Sequence, residues 1–471
     1  MAERKCDMGM IGLGVMGSNL LLNMADHGFA VAGYDKDPDK VETLRKVVNH
    51  HAIYGADDVK DFIAALKSPR AVMLLVPSGK PVDAVIADLS PHLSAGDIII
   101  DGGNSLFKDT SLRQQTLGQK KLHFLGVGIS GGEAGARHGP SLMPGGPHEA
   151  YESVRPVLEA IAAHVGGEPC ATFLGPGAAG HFVKMVHNGI EYGLMQLIAE
   201  TYDFMKRGLG MSDDELHDAY SRWNDGEASS FLLEITARIF QRVDEKSGQR
   251  LIDEILDVAR QKGTGMWTSE TAMELQVPTP TIDVAVATRN LSVFEEERKS
   301  ASEILGGPNA RYGQDRQPIL DQLENGFYAA MILTYAQGMS LLRVGSNKFE
   351  YNLNLGDIAR IWRGGCIIRA AFLEKLRAAY RIRSDLANPL LDSDLARDVL
   401  VRQIDLRSIV SAAATLGIPV PALMASLSYF DGYRSQWLPA NLIQAQRDYF
   451  GGHKYERIDK KGTFHTDWDD A

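Results

Sequence analysis

The chain reads as an α/β domain over residues 1–179, a large all-helical region over 180–435 and a C-terminal tail over 436–471. Three observations predict this order. In the first part, short apolar runs alternate with helical patterns, the sign of a parallel, doubly wound sheet. After Gly175-Pro176-Gly177 the alternation stops and helical periodicity continues to about residue 435. Within that region, Asn188-Gly189 recurs as Asn325-Gly326, and Leu216-His217-Asp218 with Trp223 recurs as Leu355-Gly356-Asp357 with Trp362, at offsets of 137 and 139 residues. We read this as a duplicated helical unit.

With 471 residues, 44% hydrophobic and 23% charged, the chain can fill the cores of two or three domains and does not suit disorder. Its net charge of −11 argues against nucleic acid or an anionic membrane as the main partner, while leaving room for local basic pockets. Cys6, Cys170 and Cys366 are too few for a disulfide framework and suit a reducing compartment. The N-terminal stretch is short and broken by Asp7 and glycines, unlike a secretory signal, and no run approaches about 18 uninterrupted apolar residues. A cytoplasmic location is the expectation. No Cys/His or HExxH spacing suggests a metal site, and His50 and His51 read as surface loop residues.

Met8 to Ile11 form an apolar run, followed by Gly12-Leu13-Gly14-Val15-Met16-Gly17 and a helical pattern from Asn19 to Ala25. This is G-x-G-x-x-G in its strand–turn–helix setting, where glycines admit a pyrophosphate and the helix N-terminus faces its charge. The next run, Ala30 to Tyr34, leads into Asp35, roughly 20 residues beyond the fingerprint, where an acid can take the adenosine ribose hydroxyls. Together these predict a Rossmann-like, NAD(P)-binding domain. Further buried strands are expected at Val72 to Val76, Asp97 to Asp101 and His123 to Ile129. Beyond two of their ends lie Asp101-Gly102-Gly103-Asn104-Ser105 and Ser130-Gly131-Gly132-Glu133-Ala134-Gly135-Ala136-Arg137. Small residues with free amides and a hydroxyl can cradle a carboxylate. Each could be a plain tight turn; their shared place at strand ends favours a site.

His181 to Arg207 has the pattern of a helix buried on most sides. Lys184, His187, Asn188 and Glu191 fall within a sector about 100° wide, so this polar stripe must meet other polar groups or a cavity. A lysine and a carboxylate two turns apart suit proton transfer, although such a pair is also common as a solvated, ion-paired stripe. In the second copy Leu323, Glu324 and Asn325 stand near the places of Val186, His187 and Asn188, and Ala329 replaces Tyr192. The reactive face is therefore expected in the first copy only. Gln261 to Thr268 forms a glycine-spaced turn carrying Lys262, Arg289 follows on a helix, and Arg447-Asp448-Tyr449-Phe450-Gly451-Gly452-His453 precedes a polar tail. Alone, each cation reads as a surface charge and the tail as a frayed end, but the aromatic motif suggests docking onto another subunit.

Seven segments, GLGVMG, DGGNS, GISGGEAGARHGPSLMPGG, KMVHNGIEY, KGTGMWT, WRGGCIIR and RDYFGGH, stand in this order. Through them the chain resembles the decarboxylating 6-phosphogluconate dehydrogenase family over nearly its whole length. The resemblance implies a coenzyme domain, a duplicated all-helical domain and a C-terminal tail that reaches into the partner of a homodimer. It also implies oxidative decarboxylation of 6-phospho-D-gluconate to D-ribulose 5-phosphate and carbon dioxide, in the pentose phosphate pathway and without a metal.

Carried onto this sequence, the resemblance makes Lys184 the general base that takes the C3 hydroxyl proton as hydride leaves for the nicotinamide. A neutral lysine is needed, so burial and nearby positive charge are expected to lower its pKa from about 10.4. Protonated Lys184 would then stabilise the enediolate formed as the carboxylate leaves, and Glu191, protonated through a raised pKa, would supply the proton to C1 of the enediol. Ser130, Gly131 and Gly132 would hold the substrate carboxylate, with Asn104, His187 and Asn188 on its hydroxyls. Its phosphate would lie among Tyr192, Lys262, Arg289, Arg447 and His453, the last two from the neighbouring subunit. The coenzyme would be held by Gly12, Leu13, Gly14, Val15, Met16, Gly17, Asp35, Lys36, Asp37, Val76 and Asn104.

One departure bears on the coenzyme. Many members carry Asn-Arg-Thr after the second strand, the Arg binding the NADP 2′-phosphate, whereas this sequence has Asp35-Lys36-Asp37. A carboxylate at 4 Å from that phosphate would be repelled by about 4 kcal/mol per charge pair at an effective dielectric of about 20, with Lys36 offsetting part. NAD is the expected coenzyme, with NADP the alternative. Pro77 stands where relatives often have Lys near the coenzyme, and Met266 where they have Lys in KGTGKWT. Two other readings remain: a β-hydroxyacid dehydrogenase acting on a small unphosphorylated acid such as 3-hydroxyisobutyrate, which would not need the three basic sites, and a silent NAD-binding regulatory protein, which would not need Lys184 and Glu191.

Overall fold

A computed structural model describes residues 5–46, 53–308 and 310–468; His50 and His51 lie outside them. The N-terminal part is a seven-stranded sheet in the order β3-β2-β1-β4-β5-β6-β7. Its strands are β1 (Met8–Ile11), β2 (Val31–Tyr34), β3 (Ile53–Gly55), β4 (Ala71–Leu74), β5 (Ile98–Asp101), β6 (His123–Ser130) and β7 (Ser141–Gly145). Helices α1 (Val15–Asp26), α2 (Pro38–Lys46), α3 (Val59–Ala64), α4 (Lys80–Leu89), α5 (Phe107–Gly118), α6 (Gly132–His138) and α7 (His148–Ile161) connect or flank them. Pairing is parallel from β3 to β6, but β7 runs antiparallel to β6. This corrects the all-parallel expectation: β7 needs only the short α6 connection rather than a crossover, so it folds straight back along its neighbour. The central strands are buried on both faces, in two cores that include Met10, Met73 and Ile100 on one side and Ile11, Leu74 and Ile99 on the other.

A small two-stranded ladder, β8 (His164–Val165) with β9 (Glu168–Pro169), closes this part. The helical part comprises α8 (Ala179–Asp203), α9 (Asp213–Asn224), α10 (Phe231–Gln241), α11 (Thr264–Glu274), α12 (Pro280–Ser292), α13 (Glu295–Leu305), α14 (Arg316–Phe349), α15 (Leu355–Ile361), α16 (Phe372–Ile382), α17 (Ser393–Leu416) and α18 (Pro421–Arg434). The long first helix is α-helical to Asp203 and runs on through Arg207 as a π-helical turn, Phe204–Gly208. Among the described residues no helix is long and apolar enough to cross a membrane.

The duplication is visible in the packing. Long α8 and α14 each precede a short helix opened by a polar cap: Ser212 accepts from Glu215 N before α9, and Asn354 accepts from Asp357 N before α15. Each short helix leads to a tryptophan, Trp223 or Trp362, with no exposed surface. Ser230 and Ala370, just before α10 and α16, meet in an antiparallel bridge that joins the two copies at equivalent points. Later, α12 and α18 each begin with proline after an N-cap residue of nearly the same conformation, Thr279 (φ −128°, ψ 47°) and Val420 (φ −130°, ψ 58°).

The segment after Arg434 is not a frayed end. It forms α19 (Ala440–Gly451) and a hairpin of β10 (Tyr455–Glu456) with β11 (Thr463–Phe464).

Candidate active site

Three glycines shape the first cleft, each for its own reason. A Cβ on Gly12, whose φ is +96°, would meet Leu75 O at 2.4 Å; one on Gly17 would meet Gly12 O at 1.8 Å. The two therefore allow the tight turn and the close seating of α1 against β1. A Cβ on Gly14 would meet nothing within 4 Å, so the backbone is bare where a pyrophosphate would approach the N-terminus of α1. The open cleft beside this turn has a volume of about 580 Å³. Gly12, Gly14, Asp35, Lys36 and Val76 of the sequence reading line it, and so do Lys40, Lys80, Pro77 and Tyr34. These residues fit a dinucleotide.

Asp35 is held more firmly than its place after β2 suggests. It is 8% exposed; Oδ2 accepts from Leu13 N at 2.7 Å and lies 3.4 Å from Lys40 Nζ, and Oδ1 accepts from Asp37 N at 3.0 Å. Burial would push its carboxyl up, but the Asp37 and Leu13 amides and Lys40 outweigh it and hold it below the usual range. Asp35 thus braces the fingerprint loop while keeping its charge in the cleft.

The second site is built where α8 crosses the ends of β6 and β7. A Cβ on Gly180 would meet Gly126 O and Met143 O at 2.2 Å, and one on Gly128 would meet Lys184 Cβ at 2.4 Å. The missing side chains let helix and sheet touch through their backbones, which brings the Lys184 root against β6. There the polar stripe converges. Lys184 Nζ donates to Asn188 Oδ1 at 2.7 Å and lies 3.4 Å from His187 Nδ1; His187 Nδ1 is 3.0 Å from Asn188 Oδ1 and 3.9 Å from Glu191 Oε2. On its other side His187 Nε2 lies 3.2 Å from Ser130 Oγ, the last residue of β6.

Burial decides the charge states. Lys184 is 6% exposed and His187 is fully buried. Desolvation pushes the Lys184 ammonium below its ordinary value, against the pull of Glu191. It pushes Glu191 up, against Lys184 and Arg289, and His187 well down, helped by Lys184. The expected helping positive charge is therefore absent as a cause for Lys184: loss of water does the work, and Glu191 opposes it. A neutral lysine and a protonated carboxylic acid on one helix face can take and give protons in sequence.

Tyr192, expected near the phosphate, is buried beside Gly265 of α11, with the Arg289 guanidinium 3.5 Å from its ring centroid. Gly131 (φ +120°) and Gly132 (φ +61°) follow Ser130 and open α6. Asn104 and Lys262 are exposed on their loops. Arg447 and His453 are exposed on the tail and, among the described residues, make no hydrogen bond or ion pair with the α8 site.

The sequence reading missed how the second copy closes the site. Ile367 N donates to Ser130 Oγ at 3.4 Å, Trp362 packs edge-on against the His187 ring, and Gly131 has room only for hydrogen against Gly365 O. The segment WRGGCIIR flagged these residues without giving them a place.

A family model described as the NAD binding domain of 6-phosphogluconate dehydrogenase matches residues 7–175, and one described as 6-phosphogluconate dehydrogenase, C-terminal domain, matches residues 180–468. The decarboxylating 6-phosphogluconate dehydrogenase of Synechococcus elongatus is 52% identical over 98% of both chains. The NADP(+)-dependent, decarboxylating enzyme of Bacillus subtilis is 48% identical over 98% of this chain and 99% of its own. The solved 6-phosphogluconate dehydrogenase of Plasmodium falciparum, studied in apo form and in complex with its cofactor NADP+ and its substrate 6-phosphogluconate, superposes with a TM-score of 0.95. It is 44% identical and covers 98% of this chain and 100% of its own.

Proposed function

The chain belongs to the decarboxylating 6-phosphogluconate dehydrogenase family, and from that premise we propose how its own residues perform the reaction. It is an enzyme of the pentose phosphate pathway that converts 6-phospho-D-gluconate to D-ribulose 5-phosphate and carbon dioxide with reduction of a nicotinamide dinucleotide. The coenzyme, when bound, accepts the hydride from C3 of the substrate.

Lys184, whose neutral form burial favours, takes the C3 hydroxyl proton as the hydride leaves. The resulting ammonium stays within reach of the C3 oxygen and stabilises the negative charge that develops there when the C1 carboxylate departs as carbon dioxide. Glu191, whose protonated form burial favours, gives its proton to the enediol carbon that was C2 of the substrate and becomes C1 of ribulose 5-phosphate. Ser130 with the Gly131 and Gly132 amides holds the carboxylate, and Asn104, His187 and Asn188 hold hydroxyls. Arg289, over the Tyr192 ring, meets the phosphate with Lys262, and Arg447 and His453 of a second copy complete that pocket. The division at residues 179 and 435, the homodimer, the docked tail and a cytoplasmic location belong to the same reading.

For the coenzyme we favour NAD. The ionised Asp35 repels a 2′-phosphate, against the attraction of Lys36, Lys40 and Lys80 along the same cleft.

The observation that carries the mechanism is the shared, desolvated face of Lys184 and Glu191 beside Ser130. The test is NADH and carbon dioxide formation from 6-phosphogluconate, compared with unphosphorylated gluconate. Equal efficiency on the two acids would remove the phosphate-binding role of the basic residues.

A further inference from the structure

Asp448 is a carboxylate that the reaction does not use, buried in a segment that is otherwise open to solvent. On α19, Leu442, Ile443, Tyr449 and Phe450 are each at least 60% exposed, whereas Asp448 is 0% exposed. Four donors converge on it. Lys454 N at 2.8 Å and His465 Nδ1 at 2.9 Å reach Oδ1; Thr466 N at 3.1 Å and Trp468 Nε1 at 2.9 Å reach Oδ2. They come from the turn after α19 and from the chain beyond β11, so one side chain joins the helix to both ends of the hairpin. The hairpin has two residues per strand, too few to hold a shape alone.

The same hub fixes the residues flanking it in sequence. Arg447 precedes Asp448, and its Nη1 donates to Gln444 Oε1 at 3.0 Å while Gln444 Nε2 donates to Lys454 O. His453 sits between Gly452 (φ +59°) and Lys454 (φ +63°) and packs against Phe450, with ring centroids 6.0 Å apart. A left-handed lysine is strained and persists only when its surroundings fix it; the bond from Lys454 N to Asp448 is such a restraint.

We propose that Asp448 is a positioning residue for substrate phosphate binding: it prefolds the tail so that Arg447 and His453 are presented together to the partner's site. This rests on the reading that those two residues complete the phosphate pocket of a second copy. A loose tail would have to be ordered at each binding event, and that cost would appear as weaker binding. In Asp448→Asn the amide nitrogen would face donors, leaving at least two of the four without an acceptor.

The test uses the full-length enzyme and compares D448N, W468F, R447A/H453A and the triple variant, with assembly state checked by sedimentation. D448N is expected to raise KM for 6-phosphogluconate about tenfold, with kcat within about threefold of wild type and KM for NAD unchanged, the signature of lost remote binding. W468F, which removes one donor of four, should raise KM less. In the R447A/H453A background, adding D448N should change KM by less than about twofold, because Asp448 acts through those residues. An unchanged KM in D448N, or an equal further rise in that background, would overturn the proposal. Should D448N fail to fold, an unchanged KM in W468F would overturn it instead. If R447A/H453A itself leaves KM unchanged, the tail reading fails and this proposal fails with it; if R447A/H453A raises KM and D448N does not, only the role of Asp448 is lost.

Discussion

Lys184 Nζ donates to Asn188 Oδ1 at 2.7 Å, one helical turn away, in a pocket where Lys184 is 6% exposed. The bond aims the amine without neutralising it by a counter-charge, so a base poised by desolvation is also held in place. Asn188→Ala removes the tether. We expect kcat to fall about ten- to a hundredfold with coenzyme binding intact, measured by steady-state kinetics; unchanged kcat would show that Lys184 needs no such support.

Gly128 lets the catalytic helix touch the sheet. Gly128→Ala would place a Cβ 2.4 Å from Lys184 Cβ, at the root of a side chain that cannot swing aside. A loss of about 1–3 kcal/mol in stability is expected from such overpacking, together with reduced kcat. Thermal unfolding and activity assays read both, and a variant with wild-type Tm and kcat would refute the close seating of α8.

The pH profile separates the roles of Lys184 and Glu191. The base works unprotonated, so kcat/KM falls as pH drops below the Lys184 pKa; the acid works protonated, so it falls as pH rises above that of Glu191. On that acid limb Glu191 is itself protonated and uncharged, so Glu191→Gln should leave the limb in place while removing the proton donor of the later step. Single-turnover NADH formation isolates this limb from the later protonation step. A limb that moves to lower pH would mean that Glu191 carries its charge while the base works, contradicting its role as the acid.

Coenzyme choice tests Asp35. We expect kcat/KM for NAD to exceed that for NADP by about tenfold or more, since about 1.4 kcal/mol of repulsion already gives a factor of ten. Asp35→Asn should narrow the gap while weakening both coenzymes, because Leu13 N and Asp37 N lose a charged acceptor. A preference for NADP in the wild type would refute this reading.

Local geometry made much of this legible in the sequence. The glycine fingerprint and the α8 stripe depend on spacings of a few residues, which helix and turn geometry fix, and both fall where the sequence reading put them. Contacts between distant segments were not legible. The antiparallel β7, the closure of Ser130 by Ile367 from the second copy, and the Asp448 hub each join residues whose proximity no periodicity records. The Lys184 environment shows the same limit: burial and nearby positive charge are both expected to lower its pKa, and only burial does so. Asp35 was expected to face the ribose, and its bonds to Leu13 and Lys40 emerge only once β2 lies beside β1.

The central claim is that the Lys184 amine takes the C3 proton, and Lys184→Met tests it most directly. Methionine keeps the length and burial of the side chain but removes the base. Single-turnover NADH formation from bound 6-phosphogluconate should fall by about a thousandfold or more, while calorimetric binding of substrate and coenzyme stays within about tenfold of wild type. Hydride transfer retained near the wild-type rate, in a variant that binds both ligands, would contradict the account.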